Sequence, residues 1–237
     1  MIIYGKQLFY HYLNQHPKKI KEIYLAKELD KKSFSQLLKL GLKINKLDPI
    51  KAQAMAHGGN HQGFLALVDD FVYTPFAQVK KAQFLAVLYE LSDVGNIGSI
   101  ARTAKALGVD ALVVVAKSLA IEGVLRASSA AALDLPICLM ADGKSLINEL
   151  AHAGFLTLAS DALGEEYFGE DSQSQSIQSK EPKYALFLGS EAQGLPGAIK
   201  RAAHKRIGIK MQGFDSLNVG VAFAILSDRI KRPEGLK

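Results

Sequence analysis

The chain has 237 residues, of which 49% are hydrophobic and 22% charged, and this composition excludes a disordered, fibrous or collagen-like protein. The length allows one large domain or two of modest size. The formal net charge of +6 is concentrated at the front, because residues 1–75 contain eleven lysines and six acids, which gives +5, whereas residues 76–237 carry only +1.

Three further features narrow the class of protein. The sequence has no apolar window long enough for a transmembrane helix, and its first residues lack the pattern of a secretory signal. The single cysteine, Cys138, cannot form an internal disulfide and lies in the apolar run "LPICLM". We therefore expect a cytoplasmic protein without a membrane partner, in which Cys138 is a small buried hydrophobe.

The front of the chain alternates helical and strand patterns. The predicted helices are 5–15, 31–41 and 49–56, and the predicted strands are 22–26, 42–48 and 63–68. These form a small α/β domain over residues 1–70, followed by a linker at 71–82 that contains Pro75. Because a basic domain precedes a nearly neutral one, the front is expected to bind a polyanion such as nucleic acid.

The second domain, residues 83–237, alternates apolar strands with helices. The predicted strands are 82–91, 111–116, 137–140, 155–160, 184–189 and 206–211, and the predicted helices are 97–108, 143–154, 196–204 and one that begins at 219. Near-continuous apolar strands are typical of a sheet covered on both faces, so we predict an α/β fold with a mostly parallel sheet. Residues 161–182, with six acids and one lysine, predict a mobile surface loop.

Three strands of the second domain are each followed by a loop that combines glycine with polar side chains. These loops are "SDVGNIGSIAR", "GSEAQGLP" and "GFDSLNVGVA", and they carry Asn96, Arg102, Glu191, Ser216 and Asn218. Six positions separate Asn96 from Arg102, just under two helical turns, which places them roughly on one side of a helix. Ligands of parallel sheets bind beyond the carboxyl ends of the strands, so the three loops predict one shared site.

Two interpretations of the third loop remain open. Asp215, Ser216 and Asn218 precede the apolar run Val219 to Leu226, and such side chains commonly cap the first turn of a helix. The same side chains could instead serve a binding site. The second loop is neither a P-loop nor a dinucleotide-binding fingerprint.

Two other kinds of site receive no support from the sequence. His57 and His61 are four residues apart, but Gly58 and Gly59 between them make a helix unfavourable, and neither cysteines nor an acid cluster supply further ligands. We therefore predict no metal site. The G-x-S-x-G pattern of a serine hydrolase is absent from the sequence.

The three loops, in this order and spacing, resemble the motifs of the SpoU (TrmH-like) family of SPOUT RNA 2'-O-ribose methyltransferases. "NIGSIARTAKALGVD" resembles the first motif, "LFLGSEAQGLP" the second and "IGIKMQGFDSLNVGVA" the third. The front domain, with "YGKQLFYHYL" and "NHQGFLALV", resembles the L30e-like RNA-binding domain of this branch. The arrangement is most similar to members that methylate a guanosine of 23S ribosomal RNA.

The resemblance implies a trefoil knot in the second domain, a homodimer formed through the knot, and S-adenosylmethionine as the cofactor. The implied cofactor-binding residues are Leu188, Gly189, Ile209, Met211, Leu217 and Asn218. The implied catalytic residues are Arg102, Asn96, Glu191, Ser216 and Asn218. Arg102 would activate the ribose hydroxyl, while the other four would orient the arginine, the loops or the ribose and phosphate.

The sequence departs from the family pattern at four positions. Lys210 replaces a proline, Gly95 a histidine, Gly220 a serine and Ala131 a glycine that are common in the family. Two alternatives therefore accompany the interpretation as a 23S rRNA methyltransferase. One is a transfer RNA 2'-O-methyltransferase, and the other is a non-catalytic RNA-binding protein with the same fold.

Overall fold

The computed structural model describes residues 1–168, 182–191, 193–213 and 215–232. The chain divides into two compact units. The front unit comprises Met1–Val72 together with Ala120–Ala130, and the second unit comprises Tyr73–Leu119 and Ala131–Lys237. A short segment from the middle of the sequence thus belongs to the front unit.

The elements follow one another as alternating strands and helices. Up to residue 72 they are β1 (Ile2–Tyr4), α1 (Lys6–Gln15), β2 (Ile20–Leu25), α2 (Lys31–Leu38), β3 (Lys43–Lys46), α3 (Pro49–Met55) and β4 (Phe64–Val68). From residue 73 they are α4 (Phe76–Val79), β5 (Phe84–Tyr89), α5 (Val94–Ala106), β6 (Ala111–Val115), α6 (Ile121–Ala127), β7 (Ile137–Met140), α7 (Leu146–His152), β8 (Phe155–Glu165), β9 (Lys183–Leu188), α8 (Gly197–Ala202), β10 (Lys205–Ile207) and α9 (Val219–Lys231).

The front unit contains a four-stranded sheet in the order β1-β4-β2-β3. Strand β2 is parallel to β3, whereas β4 is antiparallel to both β1 and β2. The helices and strands predicted in the first 70 residues are confirmed, and β1 is an additional strand. Three residues are too few to show the alternation by which a strand is recognised in sequence.

The second unit contains a six-stranded sheet in the order β10-β8-β9-β5-β6-β7, and every neighbouring pair is parallel. The predicted α/β fold with a mostly parallel sheet is thus confirmed. Every residue of β5 and β6 is buried, which explains why these strands are apolar at every position rather than at alternate ones. Chain order reverses between β5 and β9, the switch point at which parallel sheets place their ligand sites.

Two predicted boundaries in the second unit are wrong. Strand β8 continues to Glu165 rather than ending at residue 160, and β10 ends at Ile207 rather than 211. Between the pairs Arg206↔Ala159 and Ile207↔Glu165 the register shifts, so the intervening part of β8 bulges out of the ladder. The rest of the predicted mobile loop, residues 169–181, lies outside the described residues.

Two other expectations concern the class of protein. Cys138 is buried, as predicted, and burial raises the pKa of its thiol. None of the helices in the described parts of the chain has the length and hydrophobicity needed to cross a membrane.

Candidate functional site

The three polar loops of the second unit meet through a network of side-chain hydrogen bonds. Asn96 Nδ2 donates to Glu191 Oε1 at 2.9 Å. Asn218 Nδ2 donates to Asn96 Oδ1 at 2.8 Å and to Glu191 Oε1 at 3.0 Å. One residue from each loop therefore contacts the other two, although Asn96 and Asn218 are 122 positions apart in the chain.

Local structure fixes two of the three members of this network, Asn96 and Asn218. Asp93 caps α5, and its Oδ1 accepts the Asn96 N–H at 2.6 Å, which places Asn96 in the first turn of that helix. Asn218 caps α9, and its Oδ1 accepts the Gly220 N–H at 2.9 Å. Because the amide oxygen is held by the helix, the Nδ2 group of Asn218 faces Asn96 and Glu191.

The structure shows the capping role for Asn218, and its role in a binding site stays a prediction. Its oxygen satisfies the start of a helix whose buried residues include Val219 and Phe223, and its nitrogen completes the network. A side chain at position 220 would lie 3.2 Å from Asn218 Oδ1 and 3.3 Å from Ser99 Oγ. Gly220 thus leaves room for the cap at a position where the family commonly has serine.

A cleft of about 260 Å³ lies beside the network, at the carboxyl ends of β8, β9 and β10. Its walls include five of the six residues predicted to bind a cofactor, namely Leu188, Gly189, Ile209, Met211 and Leu217. Glu191 and Ser216 also line it. The described walls of this cleft do not include Asn96 or Asn218, both of which donate hydrogen bonds to the wall residue Glu191.

The wall at Gly189 is made of main chain. A Cβ atom at this position would overlap the backbone carbon of Gly194 and the backbone nitrogen of Leu195. The loop is closed there by an isolated bridge between Ser190 and Gly194. Glycine at 189 therefore allows two stretches of backbone to touch, and this contact shapes one side of the cleft.

A charged pair that the sequence did not predict also lines the cleft. Asp161 is only 9% exposed, and its Oδ2 lies 3.3 Å from Lys200 Nζ and 4.0 Å from Arg206 Nη1. Both Asp161 and Lys200 are wall residues. Asp161 lies in the bulge of β8. The sequence pattern predicted that this strand ends at residue 160, so it assigned Asp161 to the following loop.

Arg102 lies on the same helix as Asn96. It is six residues further along α5 and has an exposed side chain. Six residues at 100° per residue leave the two side chains about 120° apart around the helix axis, a wider separation than the predicted placement on one side of the helix. Within the described residues, the walls of the cleft do not include Arg102.

Two further departures from the family pattern, Gly95 and Lys210, lie next to residues of the site. A Cβ at Gly95 would stand 3.1 Å from Asp93 Oδ1, so glycine here leaves space for the cap of α5. Lys210 is exposed and lines a second depression together with Glu166 and Asp215.

The double role of Asn218 can be separated by two substitutions. Asn218→Ala removes the cap and the network, and we expect a loss of about 0.5–2 kcal/mol in the free energy of unfolding. Asn218→Ser keeps an oxygen for the cap but removes the Nδ2 donor, without placing a second carboxylate beside Glu191. Thermal denaturation should therefore show a near-normal melting temperature for Asn218→Ser, and a lower one for Asn218→Ala. Equal melting temperatures of Asn218→Ala and the unsubstituted chain would contradict the capping role.

Comparison with known proteins agrees with this geometry. Residues 83–227 match the SpoU rRNA Methylase family, and residues 2–74 match the family described as RNA 2'-O ribose methyltransferase substrate binding. A protein of Staphylococcus epidermidis assigned to the TrmH family of tRNA/rRNA methyltransferases is 31% identical over 182 residues, which cover 73% of this chain and 70% of that protein.

Two further similarities extend over most of the chain. A Bacillus subtilis protein, also assigned to the TrmH family of tRNA/rRNA methyltransferases, is 28% identical over 230 residues, covering 91% of this chain and 89% of its own. The crystal structure of an AdoMet-bound rRNA methyltransferase from Sinorhizobium meliloti superposes with a TM-score of 0.75 and 22% identity, covering 100% of this chain and 88% of that one. The matched families span both parts of the sequence, and the chain belongs to the SpoU family of RNA methyltransferases.

Proposed function

We propose that this chain transfers a methyl group from S-adenosylmethionine to the ribose 2'-oxygen of an RNA nucleotide. The observation that carries the proposal is the junction of Asn96, Glu191 and Asn218 at the edge of a cleft built from the ends of β8, β9 and β10. The same loops contain the motifs that resemble the SpoU family.

The residues of the cleft fit this cofactor. Its volume of about 260 Å³ is close to the lower limit of the roughly 300–1,000 Å³ that small-molecule sites usually occupy. Apolar side chains such as Leu188, Ile209 and Leu217 suit an adenine ring. The charged wall residues are Asp161, Glu191 and Lys200. Asp161 is paired with Lys200 and Arg206, whereas Glu191 accepts hydrogen bonds from the amides of Asn96 and Asn218. A carboxylate such as Glu191 at the cleft favours a cation such as a sulfonium.

When bound, S-adenosylmethionine supplies an electrophilic methyl group on its sulfonium sulfur. Arg102 remains protonated in a protein, so we assign it to stabilising negative charge on the ribose oxygen or gripping the neighbouring phosphate. Ser216 would hydrogen-bond the ribose and phosphate. Asn218 would do so by exchanging one of its Nδ2 hydrogen bonds, to Asn96 or Glu191, for one to the RNA. Correct placement of the reacting oxygen would supply much of the rate.

We further propose a knotted second domain and a homodimer in solution. Two apolar side chains next to the cleft, Leu217 and Val221, are 39% and 49% exposed. A second protomer would cover such a surface. The front domain, here 1–70 with the linker 71–82, would bind the RNA, and the methyltransferase domain, 83–237, would hold the cofactor in the cytoplasm.

The substrate we propose is a guanosine of 23S ribosomal RNA. Transfer RNA is the alternative, since the relatives from Staphylococcus epidermidis and Bacillus subtilis are both described as tRNA/rRNA methyltransferases. A ribosomal target is favoured because the two-domain arrangement resembles that of family members that methylate 23S ribosomal RNA. The basic front segment suits either RNA, because phosphate contacts are independent of sequence.

Labelled S-adenosylmethionine and separated ribosomal and transfer RNA fractions test this proposal. We expect label in 23S ribosomal RNA at a nucleotide whose 3' linkage resists alkaline cleavage, because methylation blocks the 2'-hydroxyl that attacks that linkage. If only transfer RNA were labelled, the substrate would be transfer RNA and not 23S ribosomal RNA. Binding of the cofactor with no label in either RNA would support the non-catalytic RNA-binding protein and contradict the proposal.

A further inference from the structure

The front unit carries a surface groove of about 560 Å³ along α1. Five of its lining residues lie along one side of this helix, from Lys6 to Asn14, and Gln62 and Ser129 complete it. Ser129 comes from the segment Ala120–Ala130 that belongs to this unit. The groove thus combines two parts of the sequence that are far apart in the chain.

Tyr10 provides a fixed aromatic surface in this groove. Its ring is half-buried and meets Phe9 edge-on, with centroids 5.5 Å apart and an interplanar angle of 89°. A second edge contact joins it to Phe64, at 5.3 Å and 62°. Phe9 and Phe64 are buried. Two buried rings therefore hold the tyrosine ring in one orientation, which lowers the entropy that a stacking ligand must overcome.

Polar groups surround this ring. Gln7, Asn14 and Gln62 are exposed side chains with amide donors and acceptors, and Lys6 adds a positive charge at the first residue of α1. Gln62 Oε1 accepts the Lys6 N–H at 2.9 Å, which ties the loop to the start of the helix.

The backbone of the groove is held in an unfavourable conformation at two positions. Gln62 has a φ of 53° and Ser129 a φ of 55°, in the left-handed region that residues other than glycine rarely occupy. Conformations of this kind are unfavourable and occur preferentially at functional sites. Both strained residues line the groove, so the strain coincides with the aromatic and amide side chains.

We propose that this groove binds one unstacked nucleotide of the RNA substrate, with its base on Tyr10, its edge facing the amides and its phosphate near Lys6. The inference rests on the proposed function, because it assumes an RNA substrate. Proteins that read RNA by sequence commonly take unpaired bases onto aromatic rings and hydrogen-bond their edges. Base-paired RNA presents neither an open ring face nor a free Watson–Crick edge, so the groove selects single-stranded nucleotides.

Fluorescence anisotropy on the full-length protein tests the groove. The probe is a short labelled RNA of mixed sequence, used both unpaired and annealed to its complement. We expect tighter binding of the unpaired form. Tyr10→Leu should weaken that binding by about 5- to 100-fold, the effect typical of losing one aromatic stacking contact. Tyr10→Phe should bind like the unsubstituted protein, since a phenyl ring stacks equally well.

Lysine variants provide an independent measurement. Lys6→Ala should reduce the slope of log Kd against log salt concentration by about 0.7, as expected for one phosphate contact to single-stranded RNA. Lys39→Ala, at an exposed position after α2 in the same unit, is the charge-matched control and should leave the slope unchanged. Neither substitution removes a packed side chain, so both proteins should fold.

Two outcomes would contradict nucleotide binding in the groove and leave the proposed methyl transfer unaffected. One is unchanged affinity of a Tyr10→Leu protein with a normal melting temperature. The other is an unchanged salt slope for Lys6→Ala. In both cases the protein would still label RNA from S-adenosylmethionine. Failure of the proposed function is separate, because it is a lack of methyl transfer by the unsubstituted protein.

Discussion

Arg102→Ala is expected to lower the rate of methyl transfer by about 10²–10³-fold, the usual cost of removing one group that stabilises charge in a transition state. The affinity for S-adenosylmethionine should change little, because Arg102 lies on the exposed face of α5 and the described walls of the cleft do not include it. Single-turnover kinetics with the mapped RNA and calorimetry with the cofactor measure the two quantities separately.

Two variants serve as controls for this prediction. Lys105→Ala removes a positive charge from the same helix at a position outside the network, and the rate should be close to that of the unsubstituted protein. Arg102→Lys keeps the charge but not the forked geometry of the guanidinium, so it should restore only part of the rate. Near-normal turnover of Arg102→Ala would remove Arg102 from the mechanism.

Gly189→Ala is expected to abolish measurable binding of S-adenosylmethionine. The added methyl group would overlap the backbone of Gly194 and Leu195, and backbone cannot move aside as a flexible side chain can. The loop between β9 and α8 must therefore shift, and it forms one wall of the cleft. Calorimetry with the cofactor measures the loss, and circular dichroism shows whether the sheet remains folded.

A neighbouring glycine provides the matched control. A Cβ at Gly197 would meet only the end of the Arg201 side chain, at 3.2 Å. Gly197 begins α8, where alanine is a better helix former than glycine. Gly197→Ala should thus bind the cofactor normally. Equal cofactor affinities of Gly189→Ala and Gly197→Ala would show that the contact at Gly189 does not shape the binding cleft.

The parallel sheet could be predicted because strands buried on both faces consist almost entirely of apolar residues. Both faces of β5 and β6 are covered, so every position is apolar. The convergence of the three loops could also be predicted, since the carboxyl ends of parallel strands lie at one edge of the sheet. The network of Asn96, Glu191 and Asn218 shows this convergence in the structure.

The position of Asp161 could not be predicted from the pattern of residues. Where β8 bulges, backbone atoms of residues 161 and 164 lie close to Gly208, and a side chain on Gly208 would meet them. Such contacts depend on tertiary packing and leave only isolated glycines in the sequence. A search for polar residues after all buried strands, rather than after three of them, would have included this aspartate.

The segment around α6 shows a second limit of sequence patterns. Residues 120–130 lie between β6 and β7 in the sequence, yet they group with the front unit. In that unit Arg126 lies over the ring of Tyr4, with its guanidinium carbon 4.4 Å from the ring centroid. Local periodicity predicts elements, but it carries no information on which of two cores an element joins.

A crystal structure with S-adenosylhomocysteine, the demethylated product of the cofactor, would test the central claim most directly. We expect the adenine between Leu188 and Ile209, with the sulfur directed toward the junction of Asn96, Glu191 and Asn218. The proposed site would be contradicted if S-adenosylhomocysteine bound elsewhere on the protein and left this cleft empty.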